Sequence, residues 1–137
     1  TAKVRWDAVD GANGYLVDVS NTDFITFVSG FNQKNTVATE MNITNLQPGT
    51  DYKVRVTAYN ASATSGYSDS LSFITIPAQP FNLSTSNITL TSARCSWNNP
   101  GGASSFDFQL STSQSFIDTL FESKAASWED WAGKALR

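Results

Sequence analysis

Side-chain chemistry needs a base, a nucleophile or a metal ligand, and this chain holds few of them. Its 137 residues include no histidine, one cysteine (Cys95) and 12 acidic side chains. Without histidine, a Ser-His-Asp triad, a Cys-His pair and a histidine-ligated metal are excluded. A single cysteine makes neither an internal disulfide nor a four-cysteine zinc site. Two carboxylates suffice for glycoside hydrolysis, so the acids are the remaining candidates. Asp7, Asp10, Asp18, Asp51, Asp69 and Asp107 fall in turns or on strand faces expected to be wet. That placement favours solvated surface charge over a catalytic pair. Asp7-Ala-Val-Asp10-Gly-Ala-Asn13 carries oxygens at the wrong spacing for an EF-hand loop and is expected to be a turn. No glycine-rich phosphate loop is present. The sequence therefore assigns no catalytic residue, no cofactor and no metal ligand.

Bulk properties narrow the partners. Nine Lys and Arg against 12 Asp and Glu give a net charge of −3, so no basic face is available for nucleic acid. No run of 18 apolar residues is long enough to span a membrane as a helix. The elements that would position any site are strands. Ala2, Val4 and Trp6 alternate with Lys3 and Arg5; Tyr15, Val17 and Val19 alternate with Leu16 and Asp18. Met41 and Ile43 continue the pattern, as do Tyr52, Val54, Val56 and Ala58, and Leu71, Phe73 and Ile76 follow near residue 77. Period-two alternation marks half-buried antiparallel strands. Asp10-Gly11, Asn13-Gly14, Ser29-Gly30, Pro48-Gly49 and Ser65-Gly66 separate them as turns.

The chain also repeats itself. Shifted by 91 residues, Thr1-Ala-Lys-Val-Arg-Trp6 falls on Ser92-Ala-Arg-Cys-Ser-Trp97. Tyr15-Leu-Val-Asp-Val-Ser20 then falls on Phe106-Asp-Phe-Gln-Leu-Ser111 with its apolar positions in phase. One inserted residue later, Phe24-Ile25 falls on Phe116-Ile117. Parts of two copies of one unit are expected.

The stretch Asn45-Leu-Gln-Pro-Gly-Thr-Asp-Tyr-Lys-Val-Arg-Val-Thr-Ala-Tyr-Asn60 resembles the fibronectin type III domain, with Leu46, Pro48, Gly49 and Tyr52 at its corner motif. Trp6, the Tyr15-x-Val17 strand and Ser70-Leu-Ser-Phe73-Ile-Thr75-Ile-Pro77 follow the same family in order. The resemblance implies an all-β fold, a Greek-key immunoglobulin-like β-sandwich in tandem units. Pro48 presets φ for a turn, and Gly49 admits a positive φ. In such sandwiches the corner tyrosine buries its ring and bonds its hydroxyl back to the upstream backbone. Trp6, Leu46, Pro48, Gly49, Tyr52 and Trp97 are thus expected to be structural.

The expected organisation is a first unit over 1–77 (strands B to G), a partial second unit over 78–123 (strands A to C′) and a tail over 124–137. Pro77-Ala-Gln-Pro80 reads as a short, semi-rigid joint. Ser127-Trp-Glu-Asp130 resembles a helix start, and Trp128, Trp131, Ala132, Ala135 and Leu136 fall on one helical face. A short helix is predicted there. Both units look incomplete, as in a piece of a longer array. Strand B (residues 2–6) should have an open flank, and Cys95, Trp97, Phe106, Phe108 and Leu110 should lack an opposing sheet and stay wet. Strand addition from a neighbouring chain would cover such edges.

Candidate interaction residues are the aromatics Tyr59 and Tyr67, which flank the loop Asn60-Ala-Ser-Ala-Thr-Ser-Gly66, and Trp128 and Trp131 in the tail. The integrin-binding Arg-Gly-Asp of some family members occurs nowhere. Sequons at Asn42, Asn60, Asn82 and Asn87 are about as many as this Ser/Thr-rich composition produces by chance. The resemblance implies a non-catalytic extracellular module, secreted or at the cell surface. It would act as a spacer, adhesion or protein-interaction unit toward a protein or glycan surface. The alternatives are an accessory module of a secreted hydrolase and a fragment of a receptor ectodomain.

Overall fold

Strands of alternating β-branched and aromatic residues must bury one face against another packed element. A computed structural model shows how this chain does so. The structure describes residues 1–117 and 119–125, with no helix among them. The chain divides into two compact units, Thr1–Ile76 and Pro77–Arg137.

The first unit holds β1 (Ala2–Arg5), β2 (Gly14–Ser20), β3 (Lys34–Thr36), β4 (Glu40–Ile43), β5 (Asp51–Tyr59) and β6 (Leu71–Ile74). β1 pairs with β4, and β3-β2-β5-β6 form a four-stranded antiparallel sheet. The register sets Val17 opposite Val56 and Val19 opposite Val54, so the inward sets coincide. A slip of one residue would turn them all outward. Val4, Val17, Val19, Phe31, Ile43, Tyr52 and Val54 form the core, with Trp6, Leu46 and Phe73 packed at its margin. No alternation marks β3: Lys34-Asn-Thr36 is a strand only because β2 offers it an edge. Ile76, expected near the closing strand, lies beyond β6 and is exposed.

The corner before β5 is tied at several points. The Gln47 N–H donates to the Tyr52 hydroxyl at 2.8 Å. Gly49 takes φ 54°, the left-handed conformation that glycine adopts without a Cβ penalty. Thr50 N–H donates to Thr75 Oγ1 at 2.9 Å, and that hydroxyl donates to the Gln47 carbonyl at 2.6 Å. The Tyr52 ring stacks on Phe73 at 5.7 Å.

The second unit holds β7 (Phe81–Ser86), β8 (Arg94–Asn98), β9 (Phe106–Ser111) and β10 (Thr119–Ala125). β7 pairs with β8, and β9 with β10, all antiparallel. Trp97 meets Phe106 edge-on at 5.8 Å and stacks on Phe108 at 5.8 Å. The expectation that this inward face stays wet is corrected: Trp97 and Phe106 are each 7% exposed, and Cys95, Phe108 and Leu110 are half-buried. Trp97 on β8 packs against Phe106 and Phe108 on β9. Exposed apolar residues of this unit include Leu83, Ile88, Leu90 and Ile117. Strand β10 continues through Lys124 and Ala125, two residues into the segment expected as tail. The helix expected over 127–136, with Trp128 and Trp131, lies outside the described residues.

Candidate functional site

The charged and aromatic side chains converge on the outer face of the four-stranded sheet. Asp18 on β2 and Arg55 on β5 are cross-strand partners. Directly opposed side chains on one face of an antiparallel pair interact, and opposite charges there attract. Arg55 Nε donates to Asp18 Oδ2 at 3.0 Å. The other carboxylate oxygen, Oδ1, accepts the Gln33 N–H at 2.7 Å.

Asp18 is 3% exposed, which corrects the expectation of a wet strand face. The strand β2 is buried on both sides, with Tyr15, Val17 and Val19 toward the core and Asp18 and Ser20 beneath the loop that follows. A buried carboxylate persists only when paired and hydrogen-bonded, and both of its oxygens are engaged here. It is a structural anchor with no vacant oxygen for proton transfer. Asp7, Asp10, Asp51, Asp69 and Asp107 are exposed as expected.

The Arg55 guanidinium is flanked by rings. Its Cζ lies 4.1 Å from the Phe24 ring centroid and 3.6 Å from that of Tyr67. A flat, weakly hydrated guanidinium stacks on aromatic faces as an ammonium cannot. Phe24 comes from the β2–β3 loop and Tyr67 from the β5–β6 connection, so one cation joins two loops.

Hydroxyl groups shape both loops. Buried Ser20 Oγ accepts the Thr22 and Phe24 N–H groups, each at 3.0 Å. Asp23 and Phe24 take φ 52° and 65°. On the other loop, Asn60 Oδ1 accepts the Ser62 and Ala63 N–H groups at 2.9 and 3.0 Å, an Asx turn. Ala58 and Val56 donate their N–H groups to Ser65 Oγ and Ser68 Oγ, each at 3.0 Å. The hydroxyls replace the carbonyls that an ordinary strand would offer.

The two candidate tyrosines behave differently. Tyr67 is 55% exposed, with one ring face against Arg55. Tyr59 is half-buried, its hydroxyl accepting from Asn35 Nδ2 at 2.9 Å and its ring lying over Gly14. A Cβ at Gly14 would come within 2.6 Å of the Tyr59 hydroxyl. A neighbouring cleft of about 260 Å³ is lined by Ser20, Asn21, Asp23, Asp51, Lys53 and Ser72. It is below the usual size of a small-molecule site, and Lys53 already ion-pairs with Asp23.

Trp6 and Leu46 pack at the core margin, Pro48 and Gly49 sit in the corner, and Tyr52 and Trp97 are buried. Trp6 Nε1 and Trp97 Nε1, at equivalent places in the two units, are both buried without a hydrogen-bond partner. On the other sheet, Glu40 receives Lys3 at 2.6 Å and Arg5 at 3.0 Å. The hydrogen-bonded Lys3 ammonium holds the Glu40 carboxyl below its usual range.

Sequence reasoning missed the Asp18–Arg55 pair and Phe24. The available signal was that both charges occupy outward phases of neighbouring apolar strands, but pairing them requires the register.

A family model for the fibronectin type III domain matches residues 1–74. Chicken (Gallus gallus) tenascin-R is 36% identical over 103 residues, which cover 74% of this chain and 7% of that protein. The chain thus spans a small part of the length of this relative. A crystal structure of chicken CNTN1 FN1-FN3 domains matches with 14% identity and a TM-score of 0.44, covering 90% of this chain and 47% of that one.

Proposed function

The chain belongs to the fibronectin type III domain family, and on that premise we propose that it is a non-catalytic extracellular module. Its role is that of a spacer and adhesion or protein-interaction unit in a larger multidomain protein. The observation that carries this reading is the extent of the likeness. It covers 103 residues where the first unit has 76, so it reaches into both units. The one buried carboxylate among the described residues supports the same reading, since Arg55 and Gln33 occupy both its oxygens. The contact surfaces are the loops and the outer sheet face, where the half-exposed Tyr67 offers a rigid amphipathic ring.

The second unit is proposed as the opening part of a second repeat. Trp6 meets Tyr15 edge-on at 5.5 Å and 66°, and Trp97 meets Phe106 at 5.8 Å and 65°. The sequence repeat is thus also a packing repeat. Exposed Leu83 and Leu90, and a strand β1 that pairs only with β4 among the described residues, favour strand addition from a neighbouring chain. Light scattering should show a mass that grows with concentration; a constant monomer mass rules strand addition out.

The adhesion role is tested by cell attachment to a surface coated with the 137-residue chain. More cells should attach than to the same coating heat-denatured. Equal attachment overturns the adhesion reading, and turnover of a glycoside or ester substrate by the chain overturns the non-catalytic one.

A further inference from the structure

Phe24 is held in a conformation that a bulky residue avoids. Its φ of 65° follows a φ of 52° at Asp23, so two successive side-chain-bearing residues are left-handed. Such strain persists only where the surroundings over-determine it. Here Ser20 Oγ captures the Phe24 N–H at 3.0 Å, and the ring lies over the Arg55 guanidinium. The repeat-equivalent Phe116 is also left-handed, with φ 51°. Its ring is 52% exposed, whereas that of Phe24, lying on Arg55, is largely covered. A left-handed phenylalanine therefore recurs in both units, and the serine hydroxyl and the cation accompany it in the first.

Arg55 faces three ways at once. Its Nε is fixed by the buried Asp18 carboxylate, one face of its plane meets Phe24, and Tyr67 lies 3.6 Å from its Cζ. Asp18 extends the link, because its second oxygen takes the Gln33 N–H at the far end of the β2–β3 loop. The Tyr67 segment meets the β5 edge through the Ser65 and Ser68 backbone N–H groups and hydroxyls, and its residues are exposed. Segments with few buried contacts open readily unless something ties them down.

We infer that Phe24, Arg55 and Tyr67, anchored by Asp18, form a clasp that makes the β2–β3 loop and the β5–β6 connection open and close together. The two loops then meet any partner as one preformed surface, and loosening one loosens the other. This coupling stands apart from the adhesion role, because it is a property of the free chain and needs no partner.

Amide hydrogen exchange by NMR on the whole chain tests it, using Tyr67→Ala, Phe24→Ala and Arg55→Lys. Tyr67 is half-exposed and outside the core, so its removal leaves the fold intact. Tyr67→Ala should speed exchange at Phe24 and Gln33, on the opposite loop, by about two- to five-fold, the equivalent of one exposed cation–π contact. Phe24→Ala should do the same at Ser65 and Ser68. Arg55→Lys, which keeps the charge and loses the flat face, should speed both loops together. Amides of β1 and β4 should not change. The clasp is overturned if each ring variant affects only its own loop, if β1 and β4 accelerate equally, or if Arg55→Lys leaves both loops unchanged.

Discussion

Removing either half of the Asp18–Arg55 pair should have unequal effects, in an order set by burial. The Asp18 side chain is 4% exposed and that of Arg55 is 20% exposed. Arg55→Met keeps the apolar stem but leaves a carboxylate inside the protein with only the Gln33 N–H to stabilise it. Breaking a buried pair in this way costs about 3–5 kcal/mol. Asp18→Asn retains an oxygen for Gln33, and the guanidinium, still against two rings, can turn an N–H toward water. That loss is nearer one charged hydrogen bond, about 1.5–3 kcal/mol. The gap of roughly 2 kcal/mol should separate urea midpoints by on the order of 1 M, for a slope of about 1–3 kcal/mol per M. Both variants are best compared at about 10–20 °C, near maximum stability. The double variant should be more stable than Arg55→Met alone, because it no longer buries a charge. Equal losses, or a larger loss for Asp18→Asn, would refute the burial argument.

Three further outcomes are expected. Tyr52→Phe keeps the stacked ring and strands the Gln47 N–H; because Gln47 is exposed and water can reach it, the loss should be about 1 kcal/mol, read as a fall of roughly 4–8 °C in Tm for a unit of this size. Gly14→Ala should destabilise by about 1 kcal/mol or more, because the Tyr59 hydroxyl must move and release Asn35, and the same change in a Tyr59→Ala background should be near neutral by thermal melt. Glu40 is held below its usual range in the fold, so its contribution is present above about pH 4.5 and is lost as pH falls through the lowered value; the stability difference between the parent chain and Glu40→Gln should therefore shrink in acid, and also in high salt, since the cluster is exposed.

Local pattern alone determined much of this protein. Alternation at residues 2–6, 15–19 and 52–58 marks the strands because a sheet face repeats every second residue. The Pro48-Gly49 to Tyr52 corner could be read because its turn chemistry is contiguous. The second Trp-aromatic pair was visible as a repeat because Trp97 and Phe106 keep the spacing of Trp6 and Tyr15. Composition removed histidine and disulfide chemistry outright. Tertiary structure decided the rest. Asp18 and Arg55 lie 37 residues apart, and only the β2–β5 register makes them neighbours. A charge on the outward phase of a strand reads as wet until its surroundings are known, and Phe24 lies over the Arg55 partner from an unfavourable φ that no propensity predicts. Strand β3 likewise exists because β2 has a free edge, not because Lys34-Asn-Thr36 favours extension. Periodicity is a property of one segment, whereas pairing and burial are properties of two segments brought together, which no single stretch of sequence encodes.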